Sequence, residues 1–265
     1  MTQNPAPSTT RAVAIIGHGE VGRAYSGALA ERGHEVRAYD PFLHDEVAGV
    51  RVCGTTAEAI DGADAIFVLT AAGASRAVAE EVAPQLTDQR LYADFTSSAP
   101  SDKQALAPLF DQSRAELADV AILGPVIKLG ARTPLMTAGP GAEEVAHLMR
   151  PLGADVDVVD GPVGAAMGHK LLRSVFMKGL ASTIIEAVEA GRAAGFEPWI
   201  RDQIARELAG DGTATIERFE TGSRLHGRRR ADEMDAAAGY LASLEVPGIM
   251  SAAAAEHLRH LTRSS

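Results

Sequence analysis

The sequence predicts an α/β fold, with a sheet domain at residues 11–160 followed by an all-helical domain at residues 161–265. Three observations carry this prediction. Short apolar runs alternate with helical segments up to about residue 160, a pattern typical of a doubly wound parallel sheet. A helical segment of about thirty residues follows, far longer than the usual globular helix. Beyond it, strand-like runs vanish and the chain becomes rich in alanine, glutamate, arginine and leucine.

The predicted elements alternate in order along the sheet domain. Strands are expected at 12–16, 35–39, 50–52, 65–70, 90–95, 117–122, 134–138 and 156–159, and helices at 20–32, 55–61, 73–83, 100–110 and 141–150. In the second domain one helix is expected over 162–194, followed by helices at 197–209, 212–222, 228–244 and 249–262. Glycine and proline residues separate these helices, since both residue types interrupt helical structure.

Composition and charge limit the classes of partner. The chain has 265 residues, a formal net charge of −10 and a single cysteine, Cys53. The negative charge argues against nucleic acid and anionic membranes as partners. One cysteine excludes an internal disulfide and a cysteine-based metal cluster, no histidine pair has metal spacing, and no metal is predicted. No apolar window is long enough to span a membrane. Residues 1–10 lack a signal-peptide pattern and are expected to be a disordered lead-in. A cytoplasmic protein is therefore expected.

The first strand leads into glycines spaced G-x-G-x-x-G, at Gly17, His18, Gly19, Glu20, Val21 and Gly22. Glycine permits the tight turn and the close approach of the backbone to a ligand, and the following helix offers N–H groups to a pyrophosphate. Asp40 ends the second strand, 23 residues after Gly17, where the dinucleotide fingerprint places an acid for the ribose hydroxyls. These features predict a Rossmann domain that binds NAD, because a carboxylate repels the 2′-phosphate of NADP. NADP stays open as the alternative.

Two further segments follow predicted strands and are expected at the same sheet edge, where open parallel sheets bind their ligands. Thr96 and Ser97 lie in the run Asp94-Phe95-Thr96-Ser97-Ser98-Ala99-Pro100. Thr96 is expected to contact both cofactor and substrate, and Ser97 the substrate, although either hydroxyl is equally suited to cap the next helix. Leu69 and Thr70 are expected to border the nicotinamide half of the cofactor.

The long helix carries Lys170, Ser174 and Lys178 at spacing i, i+4 and i+8, which places them on one helical face. Their apolar neighbours are expected to be buried; these are Leu171, Leu172, Val175, Phe176 and Met177. A lysine desolvated in a cleft has a lowered pKa and can exchange a proton near neutral pH, whereas a surface lysine is the alternative. Further on, His226 precedes the basic run Arg228-Arg229-Arg230, which fits either an anion clamp beside the cleft or a charged helix face.

Together these residues resemble the β-hydroxyacid dehydrogenase family, which includes 6-phosphogluconate and 3-hydroxyisobutyrate dehydrogenases. The glycine loop resembles its cofactor loop, residues 94–100 its D-x-[ST]-[ST]-x-x-P segment, and Gly164 to Lys170 the start of its catalytic interdomain helix. The resemblance implies that Lys170 is the general acid/base. Residues 119–125 stand where the family has its D-A-P-V-S-G-G substrate segment, and Leu123 and Gly124 are expected to contact substrate there. Ser174 stands where the family has an asparagine, four residues after the lysine. The C-terminal region is similar to a poorly characterised branch with a divergent helical domain.

The expected function is hydride transfer between a nicotinamide cofactor and a small polar hydroxy or oxo substrate. Lys170 is expected to exchange the proton, Ser174 to orient the substrate oxygen, and Lys178 and His226 to line the substrate site. Reduction of a C=N bond is the first alternative because Ile122 and Leu123 are apolar. A non-catalytic dinucleotide sensor is the second. The long helix and the helical tail also predict a homodimer.

Overall fold

The computed structural model describes residues 10–42, 47–86 and 88–263. The chain forms two compact units, Met1–Leu172 and Arg173–Ser265. The two units meet between residues 172 and 173, inside the long helix. The domain boundary expected between residues 160 and 161, where strand-like runs end in the sequence, stays a prediction. Apart from Thr10, the predicted lead-in lies outside the described residues.

The first unit contains an eight-stranded sheet in the order β3-β2-β1-β4-β5-β6-β7-β8. The strands are β1 (Ala12–Ile16), β2 (Glu35–Tyr39), β3 (Val50–Val52), β4 (Ala65–Val68), β5 (Leu91–Asp94), β6 (Glu116–Ile122), β7 (Leu135–Ala138) and β8 (Val156–Val158). Each lies where the sequence predicts a strand. The chain passes outward from β1 in both directions, which creates a switch in strand order between β1 and β4.

The helices of the first unit are α1 (Glu20–Glu31), α2 (Thr56–Ile60), α3 (Ser75–Val82), α4 (Pro100–Gln104), α5 (Val126–Leu129) and α6 (Ala142–Met149). The long helix α7 (Ala165–Ala193) begins in the first unit and ends in the second, which also holds α8 (Glu197–Leu208), α9 (Gly212–Ser243) and α10 (Ile249–Arg263). The Thr55 hydroxyl accepts the Glu58 N–H at 3.1 Å and thereby caps α2, an arrangement that the spacing of the two residues predicts.

Strand β7 departs from the predicted parallel sheet. It pairs with β6 in antiparallel orientation, while the other pairs in the sheet are parallel. Residues 123–134 join the two strands through the short helix α5 and a 3₁₀ turn at Gly130–Arg132, neither of which the sequence predicts. A parallel neighbour needs a crossover of roughly a dozen or more residues, usually with a helix that covers the sheet, and these short segments do not supply such a helix.

Both faces of the sheet are covered, which explains the continuous apolar runs in its strands. Ile15 and Phe67 point to one face, where they pack with Tyr25 and Leu29 of α1. Ile66 belongs to the cluster on the opposite face. A strand buried on both faces needs apolar side chains at successive positions rather than at alternate ones.

The second unit buries far less of its apolar surface than the first. Its buried apolar side chains are Val188, Ala231, Leu241 and Ala255 among the residues described. The prediction that residues around Lys170 are buried is wrong for the single chain, since Leu171, Leu172, Val175, Phe176 and Met177 are 39–75% exposed. Helical periodicity identified an apolar surface but could not tell that this surface has no cover within its own chain.

The predicted helices 212–222 and 228–244 are joined in α9, which is interrupted only at His226, where φ is −120° and ψ is 20°. The neighbouring Gly227 is buried against α10, and a Cβ there would lie 2.6 Å from Thr262 Cγ2. Glycine therefore serves close helix packing at this position rather than separating two helices. Within residues 10–263, apart from the gaps given above, no helix has the length and apolar character needed to cross a membrane.

Candidate functional site

The glycine loop between β1 and α1 is shaped by close backbone approaches. Gly17 has φ +93°, and a Cβ there would lie 2.8 Å from the backbone of Leu69 and Thr70. A Cβ on Gly22 would overlap the carbonyl oxygen of Gly17. Gly19 is exposed and has no atom within 4 Å of the position of a Cβ. The first and third glycines are therefore required by the fold, while the second leaves the loop open to a ligand.

The N-terminus of α1 lies at this opening. Gly19 is its N-cap residue and provides no side-chain cap. The helix has twelve residues, long enough for its aligned peptide dipoles to favour an anion beside the first turn. Glu20 is exposed and Val21 packs against the core, and neither side chain carries a donor, so a ligand here could be met only by their backbone N–H groups. The open backbone and the uncapped helix end fit the pyrophosphate of a dinucleotide.

Asp40 fixes the loop from the neighbouring strand end. Its Oδ2 accepts the His18 N–H at 2.7 Å, and its Oδ1 accepts the Phe42 N–H at 2.8 Å. Each carboxylate oxygen has a second lone pair, so the half-buried group can also accept from ribose hydroxyls. The structure therefore brings Asp40 to the glycine loop, as the sequence predicts.

The side chain of His18 is buried beneath the loop. Its Nε2 lies 2.7 Å from Ser26 Oγ, and that hydroxyl in turn donates to the Arg23 carbonyl oxygen at 3.2 Å. The imidazole is therefore the donor to Ser26 and carries its proton on Nε2. Burial, and to a smaller extent the charge of Arg23, lower the pKa of His18, which favours the neutral ring. His18 supports the loop from below instead of offering a charge to the phosphates.

The hydroxyls after β5 are linked to the neighbouring loop. Thr96 is buried, and its Oγ1 lies 2.8 Å from Ser98 Oγ, which donates to the Ala72 carbonyl oxygen at 3.1 Å. The Thr96 hydroxyl therefore donates to Ser98 and keeps its lone pairs. Ser97 is exposed, and Leu69 and Thr70 are half-buried beside Gly17. These residues surround the carboxyl ends of β4 and β5, where the sequence predicts the cofactor rim.

The substrate-segment residues lie after the end of β6. Leu123 is half-buried and its N–H donates to the Pro134 carbonyl oxygen at 2.8 Å. A Cβ on Gly124 would lie 3.3 Å from Thr133 Cγ2, so a larger residue would press on the following strand. The contact of either residue with a substrate stays a prediction.

A buried ionic cluster, which the sequence reading missed, lies beneath the rim. The Lys103 ammonium is fully buried, 2.8 Å from Asp119 Oδ1 and 3.7 Å from Asp94 Oδ1. The sequence carries a signal for this cluster. Leu106 follows Lys103 by three positions and Phe110 follows it by seven, which is the spacing of one helical face, and both apolar side chains are buried. A lysine at such a position needs an acid nearby.

Three predicted side chains lie along α7. Lys170 is half-buried and belongs to the first unit, while half-buried Ser174 and exposed Lys178 belong to the second. His226 is exposed at the interruption of α9. The roles of all four stay predictions. The described part of the chain holds no group of three or more metal-ligating side chains. That the protein binds no metal stays a prediction.

The first unit therefore has the geometry of a dinucleotide-binding domain, and comparison with known proteins agrees. Residues 12–160 match the model of the NAD binding domain of 6-phosphogluconate dehydrogenase. Residues 192–261 match a domain of unknown function, DUF1932. The chain belongs to the 6-phosphogluconate dehydrogenase family of NAD-binding proteins, and the predicted resemblance to the β-hydroxyacid dehydrogenases is confirmed.

Individual proteins are similar to this chain in sequence or in fold. An uncharacterized 28.5 kDa protein of Methanothermus fervidus is 23% identical over 172 residues, which cover 64% of this chain and 66% of that protein. A conserved hypothetical protein of Sinorhizobium meliloti 1021 shares 28% identity and a TM-score of 0.66, over 99% of this chain and 92% of its own. An imine reductase from Pseudomonas sp. has a TM-score of 0.78 at 15% identity, over 97% of this chain and 95% of its own. The last likeness shows a shared fold.

The loop geometry predicts opposite effects for two glycines of α1. Gly22→Ala places a methyl group against the Gly17 carbonyl oxygen, whereas Gly27→Ala places one in open space inside the same helix. We expect Gly22→Ala to lower stability by about 1–3 kcal/mol and to weaken NAD binding at least about tenfold. Gly27→Ala should keep NAD affinity and gain up to about 1 kcal/mol. Urea unfolding and calorimetric titration with NAD measure both effects, and equal NAD affinities in the two variants would contradict the assignment.

Proposed function

We propose that the protein is a nicotinamide-dependent oxidoreductase that transfers a hydride between the cofactor and a small polar hydroxy or oxo substrate. One observation carries the proposal. The Met167 N–H, in the first turn of α7, donates to Asp119 Oδ2 at 2.9 Å. Asp119 stands at the carboxyl end of the sheet beside Asp94, with which it is paired in register. The turn that leads to Lys170 thus begins at the sheet edge where the cofactor domain presents its rim.

The chain's own residues have distinct proposed roles around the hydride transfer that the nicotinamide supplies when bound. Lys170 gives a proton to, or takes one from, the substrate oxygen, and Ser174 one turn further along α7 orients that oxygen. Thr96 and Ser97 contact the substrate or the nicotinamide end. Lys178 and His226 are proposed to contribute to substrate binding.

Reduction of a C=N bond is the second candidate. Leu123 places an apolar, half-buried side chain where the family's D-A-P-V-S-G-G segment carries its serine, and the preceding Ile122 is apolar as well. An imine carries no carboxylate that must be held, so an apolar segment suits it better than it suits a hydroxy acid. The shared fold with an imine reductase is compatible with this activity. Parallel assays with 3-hydroxy acids and cyclic imines separate the two candidates.

The proton-transfer role predicts that Lys170→Met lowers kcat by about 100-fold or more, because general acid/base catalysis typically contributes that much. NAD affinity should change less than about twofold, since the glycine loop is untouched. Lys178→Met, on the same helical face, is the matched variant and should mainly raise KM. If Lys170→Met stays active while Lys178→Met does not, the proton donor is Lys178. Tight NAD binding without turnover by the wild type on either substrate class would favour the sensor function.

Asp40 predicts a preference for NAD over NADP. Its carboxylate is fixed beside the loop by two backbone N–H groups, so a 2′-phosphate there would meet a negative charge. We expect kcat/KM to be at least about tenfold higher with NAD. Asp40→Asn retains an acceptor for the loop but removes the negative charge. It should therefore lower the ratio of kcat/KM with NAD to kcat/KM with NADP. A wild-type preference for NADP would contradict the proposal.

We also propose that the protein is a homodimer formed through the second unit. Beside the exposed side chains of α7, a groove of about 630 Å³ is lined mainly by apolar residues; among them are Phe176, Leu180, Ile204, Ile216 and Phe219. Monomeric proteins rarely leave such extended apolar surface in water. A second copy offers the same apolar surface in return, as a two-fold interface requires.

Sedimentation equilibrium at micromolar concentration tests the dimer. We expect the mass of two chains for the wild type and a shift of at least about tenfold in the dissociation constant for Phe176→Asp, since burying a carboxylate in an apolar interface is costly. Ser182→Asp adds the same charge on a different, exposed face of α7 and is the control. A monomeric wild type would overturn the proposal.

A further inference from the structure

Lys103 has no exposed surface and is surrounded by acceptors. Its Nζ donates to the Asp94 carbonyl oxygen at 2.7 Å, in addition to its ion pairs with the carboxylates of Asp94 and Asp119. The Asp94 carboxylate also accepts the Ser75 hydroxyl at 2.9 Å and the Thr96 N–H at 2.7 Å. One ammonium therefore holds together the end of β5, the middle of β6 and the segment that carries the rim hydroxyls.

The same cluster reaches the helix that carries Lys170. Asp119 uses one carboxylate oxygen for Lys103 and the other for the Met167 N–H. A helix leaves its first-turn N–H groups without partners, and a carboxylate there also interacts favourably with the helix dipole. Asp119 thus acts as a cap for α7 that is supplied by a neighbouring strand, and Lys103 fixes the orientation of that cap.

A second contact fixes the same turn from α4. Gly164 has φ +95°, and a Cβ there would lie 2.6 Å from the Pro100 carbonyl oxygen. Pro100 is the first residue of α4, the helix that carries Lys103. The start of α7 is therefore held between α4, through a backbone approach that only glycine allows, and β6, through a charged hydrogen bond.

The buried charges of this cluster indicate that it fixes geometry more than it adds stability. Two carboxylates and one ammonium are buried together, and such groups rarely add net stability over apolar residues of the same size. Their benefit lies in directional bonds that hold one geometry. We propose that Asp119, oriented by Lys103, is a positioning residue that fixes the first turn of α7 and thereby places Lys170 at the rim. The placement of Lys170 for catalysis rests on the proposed function, whereas the fixing of the turn does not.

The test is hydrogen exchange, followed by mass spectrometry, at the amides of residues 165–170 in Asp119→Asn. The amide side chain keeps the size of aspartate but cannot accept from both Lys103 and Met167, because one of its two heavy atoms is now a donor. We expect exchange at these amides to accelerate about tenfold or more, with exchange elsewhere in the sheet unit nearly unchanged. Calorimetric affinity for NAD should stay within about twofold.

Ser75→Ala is the matched control. It removes a hydrogen bond to Asp94 from the same cluster, on a side that does not touch α7. We expect Ser75→Ala to lose about as much thermal stability as Asp119→Asn, but without faster exchange at residues 165–170. With the hydroxy acid or cyclic imine that the wild type turns over, Asp119→Asn should lower kcat about tenfold or more at nearly constant KM, and Ser75→Ala should not.

Charge balance gives a further check. Lys103→Met leaves two buried carboxylates facing each other and should be strongly destabilised or fail to fold. Lys103→Met combined with Asp119→Asn removes one charge of each sign and should recover part of that stability. If Lys103→Met alone is as stable as the double variant, the cluster does not carry the charges assigned to it.

Two outcomes separate this inference from the proposed function. If Asp119→Asn leaves exchange at residues 165–170 unchanged, Asp119 does not fix the turn, whatever the enzyme activity. If exchange accelerates but Lys170→Met retains full turnover, the turn is fixed as proposed and the catalytic role of Lys170 is wrong. Faster exchange together with unchanged kcat in Asp119→Asn overturns the positioning role.

Discussion

The ionic cluster of Lys103, Asp94 and Asp119 is the constraint on which the carboxyl edge of the sheet depends. A fully buried ammonium must be compensated, so the two carboxylates and the carbonyl oxygen around it cannot move independently. Through Asp94 the cluster reaches the Thr96 amide, and through Asp119 it reaches the start of α7. The rim hydroxyls and the helix that carries Lys170 are therefore held by the same few bonds.

The cofactor loop is fixed by a different physical means, which is the exclusion of side-chain atoms. Gly17 approaches the backbone after β4, and Gly22 approaches Gly17 itself. Asp40 then ties the loop to β2 through the His18 amide. Glycine contacts set the shape of the loop, while hydrogen bonds set its position relative to neighbouring strands.

The two units solve the problem of burying apolar surface differently. The sheet covers its strands with helices of the same chain, so Ile15, Phe67 and Tyr25 are fully buried. The helical unit leaves side chains such as Val175, Phe176 and Trp199 largely exposed. An association between copies, as proposed, would give it the core that it lacks alone. Its residues 192–261 match a domain of unknown function.

The sequence by itself determined the order of the strands and of most helices, the cofactor loop and Asp40, because apolar periodicity and glycine spacing are local signals. The antiparallel return of β7, the joining of two predicted helices in α9 and the exposure of Phe176 were decided only in three dimensions. The same holds for Asp119, whose neighbours Lys103 and Met167 are distant in sequence. Periodicity can mark a buried lysine or an apolar helix face, but it cannot name the distant partner of an ion pair or tell whether a face is covered, so only the tertiary structure shows these.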